Sequence, residues 1–160
     1  MKLRFVMNLV VLVGLAGSLF AADPLVGTWK ANVAKTKEIG KFPLKPVKEW
    51  IVVCEEHEGQ LACSETGVFD DGSPILEKYT APISGGAVNF SQTALPKGVS
   101  MTLSRGEDSH TTDWPSWIGG KVVATARDVV SSDGKTLTVT MRGNDAEGKP
   151  WERVVVLERQ

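Results

Sequence analysis

Histidines, the side chains best suited to acid–base chemistry near neutral pH, are few in this 160-residue sequence. The two histidines are His57, in an acidic turn, and His110, in a polar segment. No Gly-x-Ser-x-Gly nucleophile motif, His-Glu-x-x-His zinc motif or phosphate-binding glycine loop accompanies them. We therefore expect a protein that is not an enzyme, with no catalytic residues and no cofactor.

Acidic residues beside glycines offer hard oxygen atoms of the kind that calcium prefers. Asp70, Asp71, Asp145 and Glu147 are the candidates. No complete calcium-loop pattern surrounds them, and an acidic residue followed by glycine is also common in hairpin turns. We expect these residues to form turns and predict no metal site.

Aromatic residues suggest binding rather than catalysis. Trp114, Trp117 and Ile118 lie within five residues, in a stretch whose Pro and Gly resist regular structure. Aromatic faces on a loop suit apolar ligands or sugar rings, although both rings could instead cap one end of a small barrel. Trp50 and Tyr79 have strand spacing and are expected to lie in the core or to line a ligand cavity. These five residues are the candidate ligand-binding set.

The two cysteines are predicted to form a disulfide. Cys54 and Cys63 flank a segment centred on Glu58-Gly59, which suits a two-residue hairpin turn. That turn would place the cysteines directly opposite each other, at a distance a disulfide can bridge. Two free buried thiols are the alternative; a zinc site is a weaker one, since His57 alone does not complete four ligands.

The first 22 residues have the three parts of a secretory signal peptide. Lys2 and Arg4 precede an apolar stretch, and small residues follow near a cleavage site after Ala21 or Ala22. The apolar stretch is shorter than the roughly 20 residues that span a bilayer, which argues against the alternative of a retained anchor. We expect a periplasmic or secreted protein, with residues 23–160 forming one domain that meets the membrane only during export.

Composition favours an ordinary soluble domain with many turns. The chain is 42% hydrophobic and 23% charged and contains 16 glycines and 8 prolines. Removing the signal peptide leaves 16 of the 18 basic side chains against 19 acidic ones. This balance excludes a strongly basic nucleic-acid-binding protein as the first interpretation.

Short runs rich in valine, threonine and aromatic residues alternate with turn signals, and amphipathic helical patterns are missing. The predicted fold is all-β with little helix. Nine strands are predicted, at residues 26–30, 47–55, 60–69, 75–81, 87–90, 99–105, 121–130, 136–142 and 151–158.

An internal repeat supports a closed sheet. Residues 61–67, followed by an acidic-Gly turn and Pro74, align at a shift of 76 with residues 137–143, a similar turn and Pro150. Two copies of a β-meander favour a single antiparallel up-and-down barrel of about eight to ten strands, which removes exposed edges. A β-sandwich is the alternative.

The order of several motifs resembles a known group. Gly27-Thr28-Trp29 on the first strand matches the Gly-x-Trp signature of the lipocalins and related calycin barrels. Together with Ala34-Lys35-Thr36-Lys37, residues 132–138 and residues 145–150, it resembles small secreted bacterial lipocalin-like proteins without an assigned activity. The resemblance implies that Trp29 closes one barrel end and that a basic residue, here Arg142 or Arg153, stacks on its ring.

Two functions are compatible with these features. The resemblance implies a binding protein that holds a small hydrophobic ligand in the barrel. Alternatively, the protein is an interaction module of the cell envelope that binds another protein or a polysaccharide through the aromatic loop.

Overall fold

The structure is a computed structural model that describes residues 22–40 and 45–160. The predicted signal peptide lies outside the described residues, apart from Ala22. The described chain is all-β, as predicted, with one 3-10 turn at Val33–Lys35. Its strands are β1 (Gly27–Ala31), β2 (Lys37–Ile39), β3 (Val47–His57), β4 (Gln60–Phe69), β5 (Pro74–Pro82), β6 (Gly86–Ala87), β7 (Asn89–Gln92), β8 (Val99–Arg105), β9 (Thr111–Ile118), β10 (Lys121–Val130), β11 (Thr136–Asn144) and β12 (Pro150–Arg159).

The strands form one nearly closed antiparallel barrel, which confirms the predicted barrel over the sandwich. The order around the wall is β6-β8-β9-β10-β11-β12-β1-β3-β4-β5-β7, and β2 pairs with β12. β6 pairs with β8, whereas β7, only two residues further along, pairs with β5. Between them, Val88 donates its backbone N–H to Met101. The segment 86–92 therefore leads from one edge of the sheet to the other, so both edges are covered.

The segment around Trp114 is strand β9, so the prediction of an irregular aromatic loop was wrong. Proline lacks the N–H that a central strand needs, yet Pro115 pairs with Thr125 of β10. On the other side of β9, Ser116 and Asp113 each pair with a residue of β8. The two residues between them, Trp114 and Pro115, have no partner in β8. Pro115 is accommodated because it falls in this interruption of the ladder.

The two copies of the sequence repeat form equivalent hairpins. In the β4–β5 hairpin, Gly67 pairs with Ile75; in the β11–β12 hairpin, Gly143 pairs with Trp151. Each second strand begins at its proline, where no ladder N–H is needed. Residues that are 76 positions apart in the two copies therefore occupy equivalent places in the strand pairing.

The disulfide prediction is confirmed. Cys54 and Cys63 pair directly across β3 and β4 and are joined, which excludes free thiols and a zinc site at these residues. Glu58 and Gly59 both have positive φ, at 50° and 76°, the geometry of a tight two-residue hairpin turn.

One end of the barrel, which we call the closed end, is filled by tightly packed side chains. Trp29 is fully buried and donates its indole N–H to the carbonyl oxygen of Leu25 at 2.9 Å. The other closed-end residues shown to be no more than 2% exposed are Leu61, Ala81, Leu103, Thr112, Leu137 and Leu157.

The cation on Trp29 is Arg159, so the assignment to Arg142 or Arg153 was wrong. The Arg159 guanidinium lies 4.1 Å from the Trp29 ring centroid. Gly27 has a φ of 140°, which residues with a side chain rarely adopt, and a Cβ there would also meet Arg159 Nη1 at 2.3 Å, so the motif requires glycine at this position. Arg142 instead pairs with Glu152 on the outer face. Arg153 pairs with Glu38 at 2.5 Å and is part of the other half of the interior.

Candidate ligand-binding site in the barrel interior

The other half of the interior, which we call the wide half, is less completely filled. Because successive strand residues alternate between the two faces, the residues that share a face with buried Cys63, Thr112 and Val130 point inward. Two of them, Trp50 and Trp114, are buried at 9% and 4% exposure. The inward-facing residues that keep partly accessible surface include Glu65, Glu77, Tyr79, Phe90, Met101, Ser116, Ala126, Asp128 and Met141. Part of the inner wall of this half is therefore accessible, although Tyr79, Met101 and Met141 also pack against the buried core.

Trp50 of β3 and Glu65 of β4 form the first polar pair of this space. The indole N–H of Trp50 donates to Glu65 Oε2 at 3.0 Å. Trp50 pairs with Gly67, and a Cβ there would lie 2.9 Å from the Trp50 Cα and 2.0 Å from the Glu49 carbonyl oxygen. The glycine therefore lets the two strands approach, with the carboxylate two residues deeper along β4.

Trp114 of β9 and Asp128 of β10 repeat this arrangement. Trp114 donates its indole N–H to Asp128 Oδ2 at 2.8 Å. It pairs with a small residue, Ala126, and the carboxylate again lies two residues further toward the closed end. Two separate hairpins thus each direct an indole and a carboxylate into the same interior.

Tyr79 of β5 connects the two pairs. Its hydroxyl donates to Glu65 Oε1 at 2.9 Å. Its ring meets that of Trp114 edge-on, with centroids 5.7 Å apart, and contacts that of Phe90 at 5.6 Å. Such tilted aromatic pairs are favourable beyond the area they bury. The result is a continuous network from Trp50 to Asp128, which we call the interior network.

The environment of the two carboxylates favours their protonated forms. Burial, together with the nearby charges of Glu77 and Asp128, raises the pKa of Glu65 to about 7, against the opposing hydrogen bonds from Tyr79 and Trp50. Burial also raises the pKa of Asp128 to about 7, aided by the charge of Asp113 and opposed by the hydrogen bond from Trp114. In residues 22–40 and 45–160, no ion pair joins either carboxylate to a basic side chain.

The structure separates the predicted ligand-binding residues into two groups. Trp50, Tyr79 and Trp114 lie together in the interior network, and their role in ligand binding stays a prediction. Trp117 has the opposite strand parity to Trp114, lies on the outer face, and donates its indole N–H to Thr102 Oγ1 at 3.3 Å. Ile118 ends β9 at the rim and is 48% exposed. Sequence proximity grouped these residues, whereas strand alternation separates them.

Glu65 and Asp128 were missed by the sequence analysis. Each lies on the inward parity of its strand, two residues from a buried position: Cys63 in β4 and Val130 in β10. An acidic residue at an inward position is unusual, because burying a charge is costly unless it is paired. An acidic residue at an inward position of a predicted strand was therefore the sequence signal that could have identified both residues.

Comparison with known proteins supports the fold. No protein-family model matches this chain, and no curated protein sequence matches it. Among solved structures, the chain is similar to the crystal structure of Rv2717c from M. tuberculosis, with a TM-score of 0.53 and 18% identity. The match covers 91% of this chain and 98% of that one. At this identity the similarity establishes a shared barrel fold and carries no function with it.

Other features of the described residues concern metals, membranes and the outer wall. No group of three or more histidine, cysteine or acidic residues is placed to hold a metal ion within the described ranges. No helix formed by described residues is long and apolar enough to cross a membrane. A polar depression on the outer wall is lined by Arg105 and by the Arg127–Asp113 ion pair.

Proposed function

We propose that this protein is a non-enzymatic binding protein that holds a small, largely apolar molecule in the wide half of its barrel. The proposal places it in the periplasm or outside the cell. Its single strongest support is the contrast between the sealed closed end and the partly accessible inner wall of the wide half. Concave sites lined by aromatic side chains with a few polar groups are typical of small-molecule binding.

Compartment and chemistry fit this proposal. A disulfide such as Cys54–Cys63 is typical of proteins in oxidising compartments. The two histidines take no part in the interior network: His57 pairs with Glu55 on the exposed β3–β4 hairpin, and His110 precedes β9. The interior network therefore offers aromatic faces and carboxyl groups, a combination suited to recognition.

Tryptophan fluorescence tests the proposal, because Trp50 and Trp114 belong to the network. A panel of fatty acids, retinoids, sterols and alkyl amines should contain members that change the emission saturably. Ser116→Trp, which adds bulk to the inner wall, should weaken binding by about tenfold or more, or about 1.4 kcal/mol. Ser100→Trp is the matched control, because Ser100 pairs with Trp117 on the outer face and is exposed. Unchanged emission across the panel, or equal binding by both variants, would contradict the proposal.

A second candidate function has its own observation. The outer end of the β9–β10 hairpin carries exposed apolar side chains: Ile118 is 48%, Val122 50% and Val123 40% exposed. Val122 pairs with Trp117 on the same outer face. This patch favours an envelope interaction module that binds a protein or a polysaccharide, although through the outer face of a strand rather than an aromatic loop.

A further inference from the structure

The interior network contains carboxyl groups whose charge no described side chain compensates. The groups that act on Glu65 are Glu77, Tyr79, Asp128 and Trp50, which are either acidic or neutral. Asp128 is influenced by Trp114 and Asp113, and the latter pairs with Arg127 on the outer face. Arg153, the buried basic side chain of this half, pairs with Glu38 and is not among the groups that act on either carboxyl, so no described basic side chain is the partner of Glu65 or Asp128.

One carboxylate oxygen is also left free to accept a ligand. Asp128 Oδ2 takes the hydrogen bond from Trp114, whereas no hydrogen bond from a described residue reaches Oδ1. Oδ1 is not among the fully buried polar atoms that lack a partner, so it is not completely enclosed by the described residues. A carboxylate oxygen accepts hydrogen bonds and donates none when ionised. Its complement is therefore a hydrogen-bond donor that carries positive charge.

The surrounding rings favour the same kind of ligand. Tyr79, Phe90 and Trp114 contact one another beside the carboxyl groups. Aromatic faces attract cations, by about 0.5–2 kcal/mol each, and they also accept alkyl groups. An anionic head group such as that of a fatty acid gains nothing from the rings and is repelled by ionised Glu65 and Asp128.

We propose that the interior ligand carries a protonated or quaternary nitrogen that binds between Glu65 and Asp128, with its apolar part against the aromatic rings. This inference rests on the proposed function and names the ligand class for the same site. Alkyl or aryl amines belong to that class, whereas fatty acids do not.

Binding should be linked to proton release. A cation stabilises the ionised carboxylates, whereas the free protein keeps them partly protonated up to about pH 7. The affinity for an amine should therefore rise between pH 5.5 and pH 8. Octyltrimethylammonium keeps its charge at every pH, so the same rise with this probe assigns the effect to the protein.

The decisive experiment compares three probes with the same alkyl chain by titration calorimetry at pH 8. We expect n-octylammonium to bind about tenfold or more tightly than n-octanol, and n-octanoate to bind most weakly. In the double variant Glu65→Gln, Asp128→Asn, the preference for the amine should disappear while the affinity for octanol stays within about twofold. The asparagine of Asp128→Asn keeps an acceptor for Trp114, and the glutamine of Glu65→Gln keeps one for Trp50 while its amide nitrogen donates to the Tyr79 hydroxyl, which can accept as well as donate.

Controls separate the possible failures. The Glu49 carboxylate lies next to Trp50 in sequence, points outward and pairs with Lys30 at 3.3 Å. Its removal in Glu49→Gln should leave all three affinities unchanged. Circular dichroism checks the fold, and Asp128→Asn alone replaces the double variant if that one does not fold. Equal binding of the three probes, or an amine preference that survives the double variant, overturns the cationic ligand but leaves the proposed function intact. Absence of binding by all three, together with unchanged fluorescence across the wider panel, overturns both.

Discussion

The two halves of the barrel interior are built by the same strands and yet differ in kind. At the closed end, β4 contributes Leu61 and β12 contributes Leu157, both fully buried. Further along the same face of β4 lies Glu65, partly accessible and held by Tyr79 and Trp50. A strand period of two specifies which residues point inward but leaves their chemistry free at each level. Stability can therefore concentrate in one half and recognition in the other.

The largest expected effect lies at the closed end. Trp29→Ala should reduce the free energy of unfolding by about 3–5 kcal/mol, because a fully buried indole leaves a cavity that rigid strands cannot fill. Urea denaturation measures this loss. Trp117→Ala is the control: it removes a partly buried indole on the outer face and should cost less than half as much. Similar losses in the two variants would show that the closed end has no special role in stability.

Removing the disulfide should have the next largest effect. Opening the loop closed by Cys54 and Cys63 should cost about 2–3 kcal/mol, since the unfolded chain regains the entropy of a ten-residue loop. Urea denaturation of the Cys54→Ala, Cys63→Ala variant checks the value, and alkylation before and after reduction, followed by mass spectrometry, checks the bond itself. Ligand affinity in the wide half should stay the same. An altered affinity would mean that the two halves are energetically coupled.

The wide half should make stability depend on pH. The folded protein holds protons on Glu65 and Asp128 up to about pH 7, whereas the unfolded chain releases them near the ordinary pKa values of 4.5 and 3.8. The free energy of unfolding should therefore fall as pH rises from about 4 to 7, by on the order of 1–3 kcal/mol. The Glu65→Gln, Asp128→Asn variant should lose most of this dependence. A wild-type profile that stays flat or rises over this window would contradict the protonated interior.

Much of the fold was accessible from sequence, because its signals are local. Turn residues and alternation located most of the wall, including the hairpin that joins Cys54 to Cys63 and the two repeats. β9 was missed because Pro115 and the glycines after Ile118 are signals against a strand, and only the interrupted pairing with β8 shows why they are tolerated. The residue types within β9 do not indicate where its hydrogen-bond ladder with β8 is interrupted.

The candidate site was accessible only in part. Trp50, Tyr79 and Trp114 were found by residue type, but their common position depends on how three hairpins curve around one axis. Arg159 was missed for a similar reason: several arginines have suitable chemistry, and selecting the one above Trp29 needs the register of β12 against β1. Contacts between sequence-distant strands are set by the closed topology rather than by any single segment.

The Arg159 clamp has a consequence for the order in which the chain can fold during synthesis. Its guanidinium donates to the carbonyl oxygens of Val26 and Pro24, and the second of these is 135 residues earlier in the sequence. β1 likewise takes one of its two neighbours from β12, far along the sequence. Because contacts of such sequence separation form slowly and late, the closed end cannot assemble around Trp29 until the ribosome has delivered β12. Until then the nascent polypeptide remains without its main stabilising cluster.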